Sequence, residues 1–110
     1  QKLRTLFGAF FVNTIFMYFV YIIYSLKLDN YYVGTTDNVE KRLQEHNLKV
    51  YADSFTCKGI PWELSLSYLC DKSETAYKLE RFIKRMKSRK FIVKIIEDKT
   101  ILDDIYQNKL

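Results

Sequence analysis

The hydrophobic pattern of this chain changes period several times, and each change marks an element. Residues 19–25, FVYIIYS, are aromatic and β-branched with almost no polar dilution, and read as a buried strand. KLDN at 27–30 carries Asp-Asn turn chemistry, so YYVGT at 31–35 is the returning strand of a hairpin. Gly34 is expected to let the backbone turn where a side chain would crowd. In TTDNVEKRLQEHN the period becomes helical, with Val39 and Leu43 four apart on the inward face. Thr36 or Asp37 is the expected cap, and Asp37 with Glu40 resembles a capping box. Residues 47–61 have no clear period, contain Gly59 and Pro61, and read as a loop. WELSLSYLC at 62–70 sets Leu64, Leu66 and Tyr68 against Ser65 and Ser67, a half-buried strand of period two.

Ser73 opens the main helix, whose apolar positions Ala76, Leu79, Phe82 or Ile83, and Met86 fit a 3.6 period. Phe91, Ile92, Ile95 and Ile96 predict another helix over 89–98, and 99–110 one or two further turns. The order β-β-α-β-α-α predicts an α/β (α+β) domain: a small three-stranded sheet, antiparallel or mixed, flanked by helices.

The stretch from residue 6 to residue 26 holds no charge for 21 residues, and Lys2 and Arg4 precede it. That is long enough to cross a bilayer. Strand chemistry in its second half, and its continuation through a turn into YYVGT, favour the hairpin instead. The domain is expected to begin at Met17 and run to residue 97. Residues 1–16 would then be an apolar leader or extension, and 98–110 a helical tail.

A length of 110 residues allows one domain. Eighteen Lys and Arg against thirteen Asp and Glu give a net charge of +5, compatible with a nucleic-acid or anionic partner but not diagnostic. Cys57 and Cys70 form no CxxC, and His46 is the single histidine, so no zinc set exists. Two half-buried thiols in a reducing cytosol is the plain reading. No phosphate-cradling glycine loop, HExxH or serine elbow occurs.

What remains is a constellation of Tyr21, Tyr32, Arg42, His46 and Glu80. If the hairpin turns near residues 28 and 29, opposed positions sum to about 55, and Tyr21 and Tyr32 become diagonal neighbours on one face. Arg42 and His46 lie one helical turn apart, an arginine suited to holding a phosphate and an imidazole suited to moving a proton. Glu80 lies beside the buried stripe of its helix, where a carboxylate suits a hard divalent cation.

These segments, FVYIIYS, YYVGTTDNVEKRLQEHN, PWELSLSY and SETAYKLERFIKRMKSRKFI, closely resemble the GIY-YIG nucleases. The resemblance is to small single-domain bacterial members, similar to the nuclease domain of the excision-repair subunit UvrC. It places the first family motif on residues 19–21 and the second on 32–34, the helix arginine on Arg42, the helix histidine on His46 and the metal-binding glutamate on Glu80. Phe19 stands where the first motif has glycine and Val33 where the second has isoleucine. A late asparagine used by some members has no counterpart in 85–98.

The resemblance implies a cytoplasmic endonuclease that uses Mg²⁺ (or Mn²⁺), takes no small-molecule cofactor, and hydrolyses DNA in repair, recombination or processing. A protein partner is a candidate source of specificity. Lys41 and the run Arg81, Lys84, Arg85, Lys87, Arg89 and Lys90 are expected to follow the phosphate backbone. The alternative is a non-catalytic DNA-binding or interaction module that retains the fold.

Overall fold

The computed structural model describes residues 17–48 and 55–110. The expected leader 1–16 lies outside the described residues. Three strands form one antiparallel sheet in the order β2-β1-β3: β1 (Tyr18–Ser25), β2 (Asn30–Thr36) and β3 (Trp62–Cys70). β1 is therefore central, and both of its faces are covered. Val20, Tyr21, Ile22 and Ile23 are all buried. A strand covered on both faces needs an almost unbroken apolar run, which is why this segment imitates a membrane span. Among the described residues no helix is long and apolar enough to cross a membrane.

The hairpin register pairs Val20 with Thr35 and Tyr21 with Gly34, as the sum rule predicts. Its turn closes through Asp29, in the left-handed region at φ 48°, where Asp is better tolerated than most residues. Leu28 N–H donates to Ser25 Oγ at 3.0 Å inside the same turn.

The two faces bury different sets. Val20, Ile22, Val33, Leu66 and Cys70 face helices α2 (Ser73–Met86), α3 (Arg89–Glu97) and α4 (Thr100–Asn108), against Ala76, Leu79, Ile83, Ile95, Leu102 and Ile105. Tyr21, Ile23 and Trp62 face the other way, under Val39 and Leu43 of helix α1 (Val39–Asn47). Met86, expected in the stripe, is exposed, and Ile83 is the buried member of the Phe82/Ile83 pair. The α4 helix is tied down by Tyr68 O–H donating to Asp103 at 2.6 Å and by Tyr106 O–H donating to Asp71. Both cysteines are free, and burial pushes the Cys70 thiol up to about 11.

The predicted alternation of β3 fails at a bulge. Leu66 pairs with Ile22 and Leu64 with Ile23, leaving Ser65 as the extra residue. Side chains on either side of that residue change faces. Leu66 and Cys70 point into the three-helix face, Trp62 points into the α1 face, and Leu64 is exposed. Without the bulge Trp62 and Leu66, four apart, would share one face. Residues 55–59, inside the expected loop, form a 3₁₀ turn.

The cap of α1 is Asn38, not Thr36 or Asp37. Its side-chain oxygen accepts from Lys41 N–H at 3.0 Å, while Thr36 Oγ1 holds the Asn38 backbone N–H at 3.1 Å. Asn38→Ala should therefore cost about 1 kcal/mol in urea denaturation, the usual value of a lost cap. The neighbouring Asp37→Ala should change little.

Candidate active site

The α1 face of the β1–β2 hairpin gathers the candidates. Tyr21 and Tyr32 project from adjacent strands to the same side, with ring centroids 6.3 Å apart. The diagonal relation expected from the register is what the pairing produces, with Tyr32 opposite Ile23 and Tyr21 opposite Gly34. Gly34 does not bend the chain; it sits in β2 with no positive φ. Its role is space. A Cβ there would stand 2.6 Å from the Tyr21 hydroxyl oxygen, so the Tyr21 ring can lie across the strand only because residue 34 has no side chain.

Helix α1 then delivers His46 onto this pair. The imidazole is 4% exposed, its Nε2 is 3.0 Å from the Tyr21 hydroxyl, and its ring is edge-on to Tyr32 at 5.2 Å. Which partner donates in the Tyr21–His46 bond depends on the tautomer. Two devices hold His46 at this point. Asn47 donates to Trp62 O at 3.0 Å and accepts from Trp62 N–H at 2.6 Å, clamping the end of α1 to the start of β3. The Trp62 ring, turned to this side by the bulge, packs edge-on to Tyr32 at 6.3 Å and donates its N–H to Thr56 O. Neither Asn47 nor Trp62 figures among the sequence candidates. Trp62 could be noticed as the one tryptophan opening a strand, but nothing local announces the Asn47 clamp.

Arg42, one turn before His46, donates from Nε to Glu45 at 3.2 Å. Burial, then the Arg42 charge, hold the His46 imidazole below its ordinary 6.5, while Glu45 acts weakly the other way. The ring is thus neutral near pH 7. The unfolded chain binds a proton at His46 more readily than the folded chain. Stability from this group is therefore full above about pH 6.5 and falls as pH drops below it toward the folded value. Denaturation midpoints measured from about pH 8 down to about pH 5 should show that loss, and His46→Gln should flatten it.

Glu80 approaches from the opposite side of the sheet. Its side chain is 19% exposed at the edge of the α2 stripe and accepts from Lys84, one turn further on. The same ammonium lies 5.9 Å from the centroid of the Tyr32 ring. Among the described residues β2 is an edge strand, and Lys84 is the α2 side chain that approaches Tyr32. Tyr21, Tyr32 and His46 therefore form one contacting cluster, Arg42 acts on His46 through its charge, and Glu80 is joined to the cluster only through Lys84.

The basic run does not form a single line. Arg81 and Arg85 turn to the other flank of α2, where they line a cavity of about 210 Å³ with Lys78, Phe82 and Lys109. Arg89 donates to the backbone and side-chain oxygens of Asp29, both at 2.7 Å, and lies over the Tyr31 ring at 5.4 Å. Lys41, Lys87 and Lys90 are exposed. Arg89 thus fastens α3 to the hairpin turn, and the remaining cations face more than one direction.

The donor set can be tested against a divalent cation. Among the described residues there is no group of three or more His, Cys, Asp or Glu side chains close enough to hold one. That is unsuited to zinc or to a full calcium cage. Mg²⁺ differs: it keeps several waters and binds through one or two carboxylates together with substrate phosphates. A single, mostly buried carboxylate fits that pattern, and Glu80 is the residue that would hold the ion.

Residues 17–94, from the start of β1 into α3, match the family model described as the GIY-YIG catalytic domain. No curated protein and no solved structure matches the chain.

Proposed function

The chain belongs to the GIY-YIG nuclease family, and on that premise we propose that it is a divalent-metal-dependent endonuclease hydrolysing DNA phosphodiester bonds. The single observation that carries this reading is the convergence of two phenols and a neutral imidazole on one face of the hairpin, with Arg42 one turn before the imidazole on α1 and Glu80 joined to Tyr32 through Lys84. Each group has work suited to phosphodiester hydrolysis. Arg42 can hold a phosphate oxygen and offset the charge that grows there in the transition state. Tyr32, the more exposed phenol, would take the proton of the attacking water on this reading. Tyr21 and His46 hold each other and pack against Tyr32, so their bond fixes the orientation of the proton acceptor. Glu80 would hold Mg²⁺ or Mn²⁺, which supplies positive charge against the phosphate.

Nothing like a base-reading helix or zinc module accompanies the domain among the described residues. The reading is therefore structure-selective or weakly sequence-selective cleavage, in repair, recombination or processing, in the cytoplasm, with a protein partner as the source of further specificity. Incubating the full chain with nicked, branched and linear DNA tests it. Cleavage should require Mg²⁺, stop with chelator, and fall about 10²-fold in Tyr32→Phe, the usual contribution of a positioned acid or base. Binding of these substrates with no cleavage under any divalent cation would favour the non-catalytic module.

A further inference from the structure

Of the six cations between residues 81 and 90, Lys84 is set apart by what it touches. Arg81 and Arg85 line the cavity on the far flank, and Arg89 is engaged by Asp29. Lys84 alone among them contacts both the candidate metal ligand and a candidate catalytic phenol. Its ammonium sits on Oε2 of Glu80, on the carboxylate a divalent cation would bind, and faces the Tyr32 ring. The Lys84 side chain is half exposed while Glu80 is mostly buried. The lysine can therefore swing out to solvent more easily than the carboxylate can move away.

From this we infer that Lys84 is an internal counter-ion for Glu80, exchanged for a divalent cation when DNA phosphate arrives to take the ammonium. This rests on the reading of Glu80 as the metal ligand. The physical case is one of competition. An ammonium and a divalent cation cannot share one carboxylate oxygen without strong repulsion, so each opposes the other. An i, i+4 pair of this kind is weak, so its exchange is easy and reversible. A phosphate backbone at the site offers Lys84 a second anion at similar reach, and that contact releases Glu80. Metal and DNA would then bind with positive coupling that runs partly through this one side chain, since any such coupling is reciprocal. The geometry makes Lys84 a positioning residue that keeps the empty site neutral and couples its loading to substrate.

Mn²⁺ is the probe, with the free ion titrated by electron paramagnetic resonance against the full chain without DNA. Lys84→Met should bind Mn²⁺ about three- to tenfold more tightly than wild type, because a repelling charge has gone. Lys84→Arg should behave like wild type. A lysine needed only for structure would give weaker binding, not tighter. Adding a short duplex in a Tyr32→Phe background, which slows turnover, should tighten Mn²⁺ binding more when Lys84 is present than in Lys84→Met. Equal or weaker Mn²⁺ affinity in Lys84→Met, while Glu80→Gln loses binding, overturns the counter-ion role and leaves the metal site standing. Undiminished Mn²⁺ binding in Glu80→Gln overturns the metal assignment itself, and the counter-ion role with it.

Discussion

Glu80→Gln should reduce Mg²⁺-dependent DNA cleavage by about 10²-fold or more, the scale of losing a group that stabilises transition-state charge, while the protein remains folded. The substitution keeps the volume and shape of the side chain and removes its charge. Little stability should go with it, because the pair it breaks joins a half-exposed lysine on the same helix. The loss should appear at saturating DNA and persist as Mg²⁺ is raised, since an amide is a poor ligand for a hard cation. Thermal melting should stay within a few degrees of wild type. Cleavage within about threefold of wild type, well short of a transition-state effect, would remove Glu80 from the chemistry. The Glu80 region is also where the run of charges in the sequence was hardest to read. The spacing of Glu80 and Lys84 fits an ordinary helix-surface pair, and that pair exists. What spacing alone could not supply is that the same ammonium lies over the Tyr32 ring.

Much of the fold was legible because local chemistry and tertiary need agree in it. The central strand must be apolar on both faces, and FVYIIYS is. The hairpin needs a residue tolerant of the left-handed region, and Asp29 is placed there. From those two facts the register follows, and with it the approach of Tyr21 to Tyr32. Most of the failures share a cause: they depend on partners distant in sequence. The bulge at Ser65 is invisible in an alternating strand, yet it decides that Trp62 supports Tyr32 and that Leu64 is exposed. Asn47 and Trp62 are fifteen positions apart, and their mutual hydrogen bonds follow from how α1 returns to β3, not from any motif. Arg89 belongs to a basic run by sequence and to the Asp29 turn by geometry, sixty positions away. The cap of α1 falls on Asn38 rather than Thr36 or Asp37 for a more local reason, since TTDN offers four polar side chains in a row and the extended backbone and Lys41 N–H bond at Asn38 select among them.

Gly34→Ala should be among the most damaging single-methyl changes in the molecule. In a strand interior, alanine ordinarily gains about 0.5–1 kcal/mol over glycine, because glycine loses more freedom on folding. Here the sign should reverse. The new Cβ would meet the Tyr21 hydroxyl oxygen at 2.6 Å, Cζ at 2.7 Å and Cε1 at 2.9 Å, closer than carbon and oxygen approach without bonding. Tyr21 cannot retreat cheaply: it is 1% exposed, its hydroxyl is bonded to His46, and the rings of Tyr32 and His46 stand beside it. Overpacking of this kind costs about 1–3 kcal/mol. Because Tyr21 must move, its bond to His46 should be lost as well, and cleavage should fall further than the stability change alone explains. A double-mutant cycle in urea isolates the contact. In a Tyr21→Leu background the shorter side chain leaves room for the methyl, so Gly34→Ala should cost much less there than in wild type. Equal costs in the two backgrounds would mean that the penalty lies in the backbone of β2, and that Tyr21 is not what keeps residue 34 bare.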